Sequence, residues 1–242
     1  SIVLLGYSAY SDLKAREVSN WVWIIYLPAA LAILVFKLLL DPQLLTMSLA
    51  SILVMACLSF LLFHFGLTGG ADLKAFICLS IALPTNPLPL KSLLTSINPI
   101  FPLIVLYNTY LLSISTIFYS LIRNLDWKYR KGKELFEDFR KISLLKSVLA
   151  FLSGYRTDFE TLRKKVYLYP MEEVSVGSGV SYRRLRLFTN VEADRDELIK
   201  ILEGSLKDSE KEGVWVSPAV PLLFFVWVAL IFSTFVGDIL LW

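Results

Sequence analysis

Residues 43–65 run for 23 positions without one aspartate, glutamate, lysine or arginine, and residues 20–40 hold only Lys37. A hydrocarbon core about 30 Å thick takes roughly 20 helical residues to cross. Backbone placed in that core must satisfy its own polar groups, which a helix does. Two apolar stretches of this length in close succession predict an all-α, polytopic membrane fold. Composition agrees: 56% of the 242 residues are apolar, and the mean hydropathy is +0.62. Charge is segregated. Residues 123–216 carry 19 of the 24 Lys and Arg and 16 of the 21 Asp and Glu.

Six transmembrane helices are expected. Residues 1–11 read as the end of a first span, so further N-terminal residues are expected to precede Ser1. The short run has no basic flank or small-residue cleavage site, which argues against a signal peptide. Residues 20–40 form the second span, with Trp21, Trp23 and Tyr26 as an interfacial belt. Residues 43–65 form the third, and residues 72–83 a short fourth that Pro84 stops. Residues 84–98 read as a loop, residues 99–122 as the fifth span and residues 218–236 as the sixth. The expected domains are therefore 1–122 (membrane helices one to five), 123–216 (a small cytoplasmic α+β domain) and 217–242 (the sixth helix and C-terminus). Lys14, Arg16, Lys74 and the 123–216 segment fall on one side of this layout. The positive-inside rule puts that side in the cytoplasm of a multi-pass plasma-membrane protein.

Within the charged segment, Leu135, Phe139, Ile142, Leu145, Leu149 and Leu152 recur at three- or four-residue steps, which predicts an amphipathic helix over 134–152 lying on the membrane surface. Residues 166–169 and 181–188 have strand character, with Gly177-Ser178-Gly179 turning between them. Asp194 is placed to cap a helix over 195–207. Mixed charge, net +3, carries no nucleic-acid footprint.

Cys57 and Cys78 lie in apolar runs with no CxxC spacing, and His64 is the only histidine. That excludes a zinc or haem site of the usual ligand sets, and no cofactor is expected. The lone His64 also argues against a serine–histidine mechanism.

Asp12 closes one apolar run and Asp72 opens another, directly after Gly69-Gly70-Ala71. Charge at membrane depth is costly, and so marks functional candidates. The bland alternative is an interfacial aspartate or helix cap. In the layout above, both sit at the cytoplasmic ends of their helices. Two carboxylates sharing a site do not both ionise easily, so the pair holds a proton near neutral pH. It can then activate water and protonate a peptide carbonyl. Glycines before Asp72 leave room for a substrate strand. Lys14 and Lys74 follow the aspartates by two residues. Each either biases a carboxylate or binds a substrate carbonyl, or snorkels to the headgroups. Arg16 and Glu17 suit a surface pair. Pro218 and Pro221 either expose backbone groups for a substrate strand, or Pro218 simply starts a helix.

Gly69-Gly70-Ala71-Asp72 resembles the Gly-x-Gly-Asp motif of membrane aspartyl proteases. Ala71 at its third position is similar to the archaeal branch, and Asp72-Leu73-Lys74 resembles the Asp-x-Lys of prepilin peptidases. The stretch from Asp12 through Arg16 to Ser19-Asn20 resembles the region after that family's first catalytic aspartate. Ser217-Pro218-Ala219-Val220-Pro221 resembles the lead-in to its last span. The resemblance to archaeal preflagellin and type IV prepilin peptidases implies catalytic Asp12 and Asp72, and substrate contacts at Gly69, Gly70, Ala71, Lys74, Pro218 and Pro221. It implies archaellin or pilin-like precursors as partners beside membrane lipid, with no nucleic acid. The tetracysteine insert of bifunctional relatives has no counterpart here, so peptidase activity alone is expected. Three alternatives stand beside this reading. One is a presenilin or signal-peptide-peptidase type of protease, although Ser11 replaces that group's Tyr before Asp12. The second is a proton-coupled transporter using the same aspartates. The third is a membrane anchor for a cytoplasmic partner.

Overall fold

The computed structural model describes residues 1–87, 99–132, 135–136, 139, 142–177, 180–187, 195–205 and 213–239. They divide into two compact units, Ser1–Ser113 with Pro221–Trp242, and Ile114–Val220.

The first unit is helical: α1 (Ile2–Ala15), α2 (Asn20–Leu40), α3 (Leu44–His64), α4 (Gly70–Ala82), α5 (Phe101–Ser113) and α10 (Leu222–Phe235). α4 is its axis. Ala75, Phe76 and every residue from Cys78 to Ala82 are buried, in a core that includes Leu5, Tyr26, Met55, Phe101 and Val226. α2, α3, α5 and α10 pack around α4. α3 meets its neighbours through Ser48, Ser51 and Ser59, small residues that let helices approach closely in lipid. Lys37 of α2 donates to the Ala82 carbonyl at the end of α4, a carbonyl the helix itself leaves unpaired. The outward faces of α2 and α3 are apolar, with Ile24, Leu31, Phe36, Leu49, Leu53 and Phe60 exposed.

Three helices among the described residues are long and apolar enough to cross a membrane: Asn20–Leu40, Leu44–His64 and Phe101–Lys131. The six-helix expectation is therefore corrected to three. The expected fourth span is a helix of 13 residues, about 20 Å at 1.5 Å per residue, well short of the core thickness, and residues 1–11 lie in the 14-residue α1. The expected sixth loses its start to a strand that runs through Pro218, and its end to Gly237 at φ 110°, leaving 14 residues in α10. Apolar composition over-counts spans here because α4 and α10 are covered by protein: a buried helix reads like a lipid-facing one.

The second unit contains α6 (Ser115–Lys131), α7 (Leu144–Ser153), β1 (Tyr155–Thr157), α8 (Phe159–Lys164), β2 (Leu168–Pro170), β3 (Glu172–Gly177), β4 (Val180–Leu185), α9 (Arg195–Ser205) and β5 (Val214–Pro218). The first sheet is antiparallel in the order β1-β5-β2, with Tyr155 opposite Val216 and Leu168 opposite Pro218. β3 and β4 form a separate hairpin, with Glu172 opposite Leu185. Val214 and Val216 face a core of Tyr155, Phe159, Leu162 and Leu168. Trp215, on the other side of the same strand, stacks on Phe136 with ring centroids 4.7 Å apart. Buried Asn124 of α6 donates to the Phe151 and Gly154 carbonyls and accepts from the Arg156 N–H.

The helix expected over 134–152 starts only at Leu144, where Ser143 caps it by accepting from the Lys146 N–H. Leu135 lies in a turn instead, its carbonyl taken by Arg156 and by the Trp215 indole. The strand expected over 166–169 begins at Leu168. Ser178, Gly179, Phe188, the Asp194 cap and residues 206–207 of the expected helix lie outside the described residues, as does most of the 84–98 loop.

Candidate active site

Asp12 and Asp72 come from α1 and α4, two helices outside the three candidate spans, and both belong to the first unit. α1 packs along α10. Gly6 permits this, since a Cβ there would lie 3.0 Å from the Trp227 indole nitrogen. That nitrogen donates to the Ile2 carbonyl at 3.0 Å. The alignment brings the half-buried Asp12 to the start of α10. Its Oδ2 accepts from the Leu223 N–H at 3.2 Å. The Phe224 N–H also acts on it. Pro221 precedes this helix and supplies no side-chain cap of its own. Asp12 thus fills the capping role from another helix, a favourable place for a carboxylate.

Asp72 sits in the first turn of α4, 8% exposed. Its Oδ2 accepts from the Gly69 N–H at 2.8 Å. Gly69 allows the approach: a Cβ there would come within 3.3 Å of that oxygen, whereas one on Gly70 would meet only Phe63 at 3.9 Å.

Asp72 lies within electrostatic reach of Asp12. Burial raises the Asp72 pKa to about 7, opposed by the Gly69 N–H and reinforced by the charge of Asp12. Burial also raises that of Asp12, against the opposing pull of Arg16 and of the Leu223 and Phe224 N–H groups. Arg16 lies four residues beyond Asp12, in a left-handed conformation at φ 56° where α1 ends. Its influence reaches the carboxylate.

Lys74 turns elsewhere. Its Nζ donates to Asn20 Oδ1 at 2.8 Å. Both residues line a cavity of about 410 Å³ whose other walls are Trp23, Ile24, Leu27, Ile77 and Cys78. Lys14 lies over the Tyr10 ring, 6.0 Å from its centroid. Ala71 is half-buried beside Asp72 and packs on the core. Pro221 precedes the helix that holds Asp12, but Pro218 belongs to β5 of the second unit.

Two contributors escaped the sequence. The backbone of Leu223 and Phe224 has no side-chain signature, and the helix expected to start at Pro218 starts instead after Pro221. Tyr110 of α5 is within electrostatic reach of Asp72, yet it reads in sequence as one more aromatic in an apolar run.

Residues 1–121 match the model of the type IV leader peptidase family. The chain belongs to that family. Residues 146–239 match a second model, described as Archaeal Peptidase A24 C-terminus Type II. The chain is 25% identical to a preflagellin peptidase of Methanococcus voltae, over 98% of this chain and 94% of that protein. It is also 25% identical to a preflagellin peptidase of Methanocaldococcus jannaschii, over 98% and 92%. One from Methanococcus maripaludis is 23% identical, over 96% and 90%. Family and relatives make this an archaeal, multi-span membrane peptidase.

Proposed function

We propose that the chain is an aspartyl endopeptidase that removes the basic leader from archaellin or type IV pilin-like precursors at the cytoplasmic membrane face, with Asp12 and Asp72 as its catalytic dyad. One observation carries the reading. Asp12 and Asp72, 60 positions apart in sequence, are each held by a backbone N–H at a helix start, with Asp72 within electrostatic reach of Asp12.

The pair titrates as a unit. Its shared proton resides preferentially on the more buried Asp72, while the amides starting α10 favour an ionised Asp12. The ionised carboxylate takes a proton from water as the water oxygen bonds to the scissile carbonyl carbon. The protonated carboxyl delivers its proton to the carbonyl oxygen, giving a tetrahedral diol. On collapse the C–N bond breaks, the leaving nitrogen takes a proton, and the dyad again holds one. Gly69, Gly70 and Ala71 leave backbone space for the substrate strand beside Asp72. Pro221 sets the start of α10, whose first amides hold Asp12. The apolar cavity takes a side chain from the substrate's hydrophobic segment, and Lys74 at its edge binds a backbone carbonyl.

The test is cleavage of a pilin-like precursor with a basic leader by purified protein, with the new N-terminus read by mass spectrometry. A single cut before the hydrophobic segment supports the proposal. No cut across several such precursors, or a trapped acyl-enzyme, overturns it.

A further inference from the structure

In a helix at the surface of a water-soluble domain, the buried face is apolar and the outer face polar. α7 reverses the second half of that rule. Its inward side carries Ala150, fully buried, with Phe151 packed behind it. Its outward side carries Leu144 (84% exposed), Leu145 (70%), Val148, Leu149 and Leu152. These positions recur at one- and three- to four-residue steps and form one stripe, with no charge interrupting it. Five large aliphatic side chains on one exposed face mark a contact surface.

The neighbouring helix says what covers it. α6 packs against α7, and Asn124 ties the last turn of α7 to the middle of α6 through the Phe151 and Gly154 carbonyls. α6 is the second half of a candidate membrane span and exposes its own stripe of Phe118, Ile122 and Leu125. The tie therefore fixes the end of α7 to the buried face of a helix that continues a candidate span. Seven residues on, about 10 Å along the helix, α6 ends in exposed Lys128, Arg130 and Lys131. Arg130 pairs with Asp126 and Lys131 with Asp158, both at the exposed surface, where such pairs are weak. An unpartnered apolar helix face, on a helix packed against one that continues a candidate span and ends in cations, is the pattern of an interfacial helix on an anionic bilayer.

We infer that α7 is an in-plane membrane anchor: its Leu/Val face embeds in the interface of an anionic phospholipid bilayer, and the cationic end of α6 binds the headgroups. This anchoring is independent of the chemistry proposed for Asp12 and Asp72.

The test uses the full chain, with Cys57 and Cys78 replaced by serine, reconstituted in nanodiscs of phosphatidylglycerol and phosphatidylcholine. Single cysteines from Leu145→Cys, Leu149→Cys and, as control, Glu160→Cys on α8 are labelled with an environment-sensitive dye. Quenching by lipids brominated near the headgroup is compared with quenching by aqueous iodide. At Leu145 and Leu149 lipid quenching should exceed iodide quenching, and the ratio should fall when phosphatidylcholine replaces phosphatidylglycerol. At Glu160 iodide should dominate. Iodide dominating at Leu145 and Leu149 overturns the inference in favour of a solvent-facing helix. Quenching by neither overturns it in favour of a face covered by protein, and a ratio indifferent to phosphatidylglycerol removes the cationic part.

Discussion

Replacing Gly69 and Gly70 separately by alanine distinguishes two glycines that look interchangeable in sequence. At Gly69 the backbone (φ −83°, ψ 166°) suits any residue, so alanine costs no strain. Its Cβ would nevertheless stand 3.3 Å from Asp72 Oδ2, and the carboxylate must yield by a few tenths of an ångström. That movement also stretches the 2.8 Å hydrogen bond from the Gly69 N–H. A 1 Å misplacement of a reacting group costs about a hundredfold in rate, so a shift of this size should lower kcat roughly three- to tenfold. Stability should not fall, because alanine at a permitted φ restricts the unfolded chain and contributes about 0.4–1 kcal/mol. Gly70→Ala meets nothing nearer than Phe63 at 3.9 Å. Its kcat should fall less than that of Gly69→Ala, any loss from crowding the substrate strand entering through KM, with stability raised by up to about 1 kcal/mol as a helix residue. Precursor cleavage rates and thermal melts of both variants in one detergent provide the comparison. Equal activity loss in the two variants, or a larger loss for Gly70→Ala, would refute the argument from contact with Asp72.

Asp72→Asn should change the pH dependence of stability. The folded protein keeps the Asp72 proton up to about pH 7, whereas the unfolded chain releases it near 3.8. Folded wild type therefore binds more protons within that window, and its stability declines as pH rises through it. Asparagine has nothing to lose, so the variant should gain on wild type from about pH 4 to about pH 7 and level off above, with a ceiling of about 4 kcal/mol over the whole window; parallel melting curves across that range would exclude the buried, protonated carboxyl. In the second unit, Arg183→Met strands buried Glu172, whose other oxygen accepts from the Trp215 N–H. It should cost about 3–5 kcal/mol, read by denaturation, and adding Glu172→Gln should recover part. Asn108→Ala removes donors to Ser233 and the Gly237 carbonyl and the acceptor for the Ile239 N–H. Each polar group left buried costs about 1–3 kcal/mol, so a clear fall in melting temperature is expected, and an unchanged one would show that this clamp is not needed.

The long apolar runs of α2 and α3 were legible because lipid-facing helices of full length leave an uninterrupted pattern. α4 and α10 misled for a physical reason. Hydropathy records only that a side chain avoids water, and protein and lipid satisfy it equally. Asp72 stood out because three small residues precede it in an otherwise bulky sequence. The cradle of Asp12 did not, because backbone amides of Leu223 and Phe224 supply it from more than 200 positions away. Lys74 was read beside Asp72 from its spacing of two. On a helix that spacing points side chains apart, and its ammonium meets Asn20 instead.

The dyad itself is tested most directly by cleavage of one precursor by wild type, Asp12→Asn, Asp72→Asn and the double variant, each shown by its melt to be folded. Groups that act as one unit are non-additive. Each single change should therefore abolish cleavage, and the double variant should be no worse than either. Substantial cleavage by either folded single variant would contradict a two-aspartate mechanism.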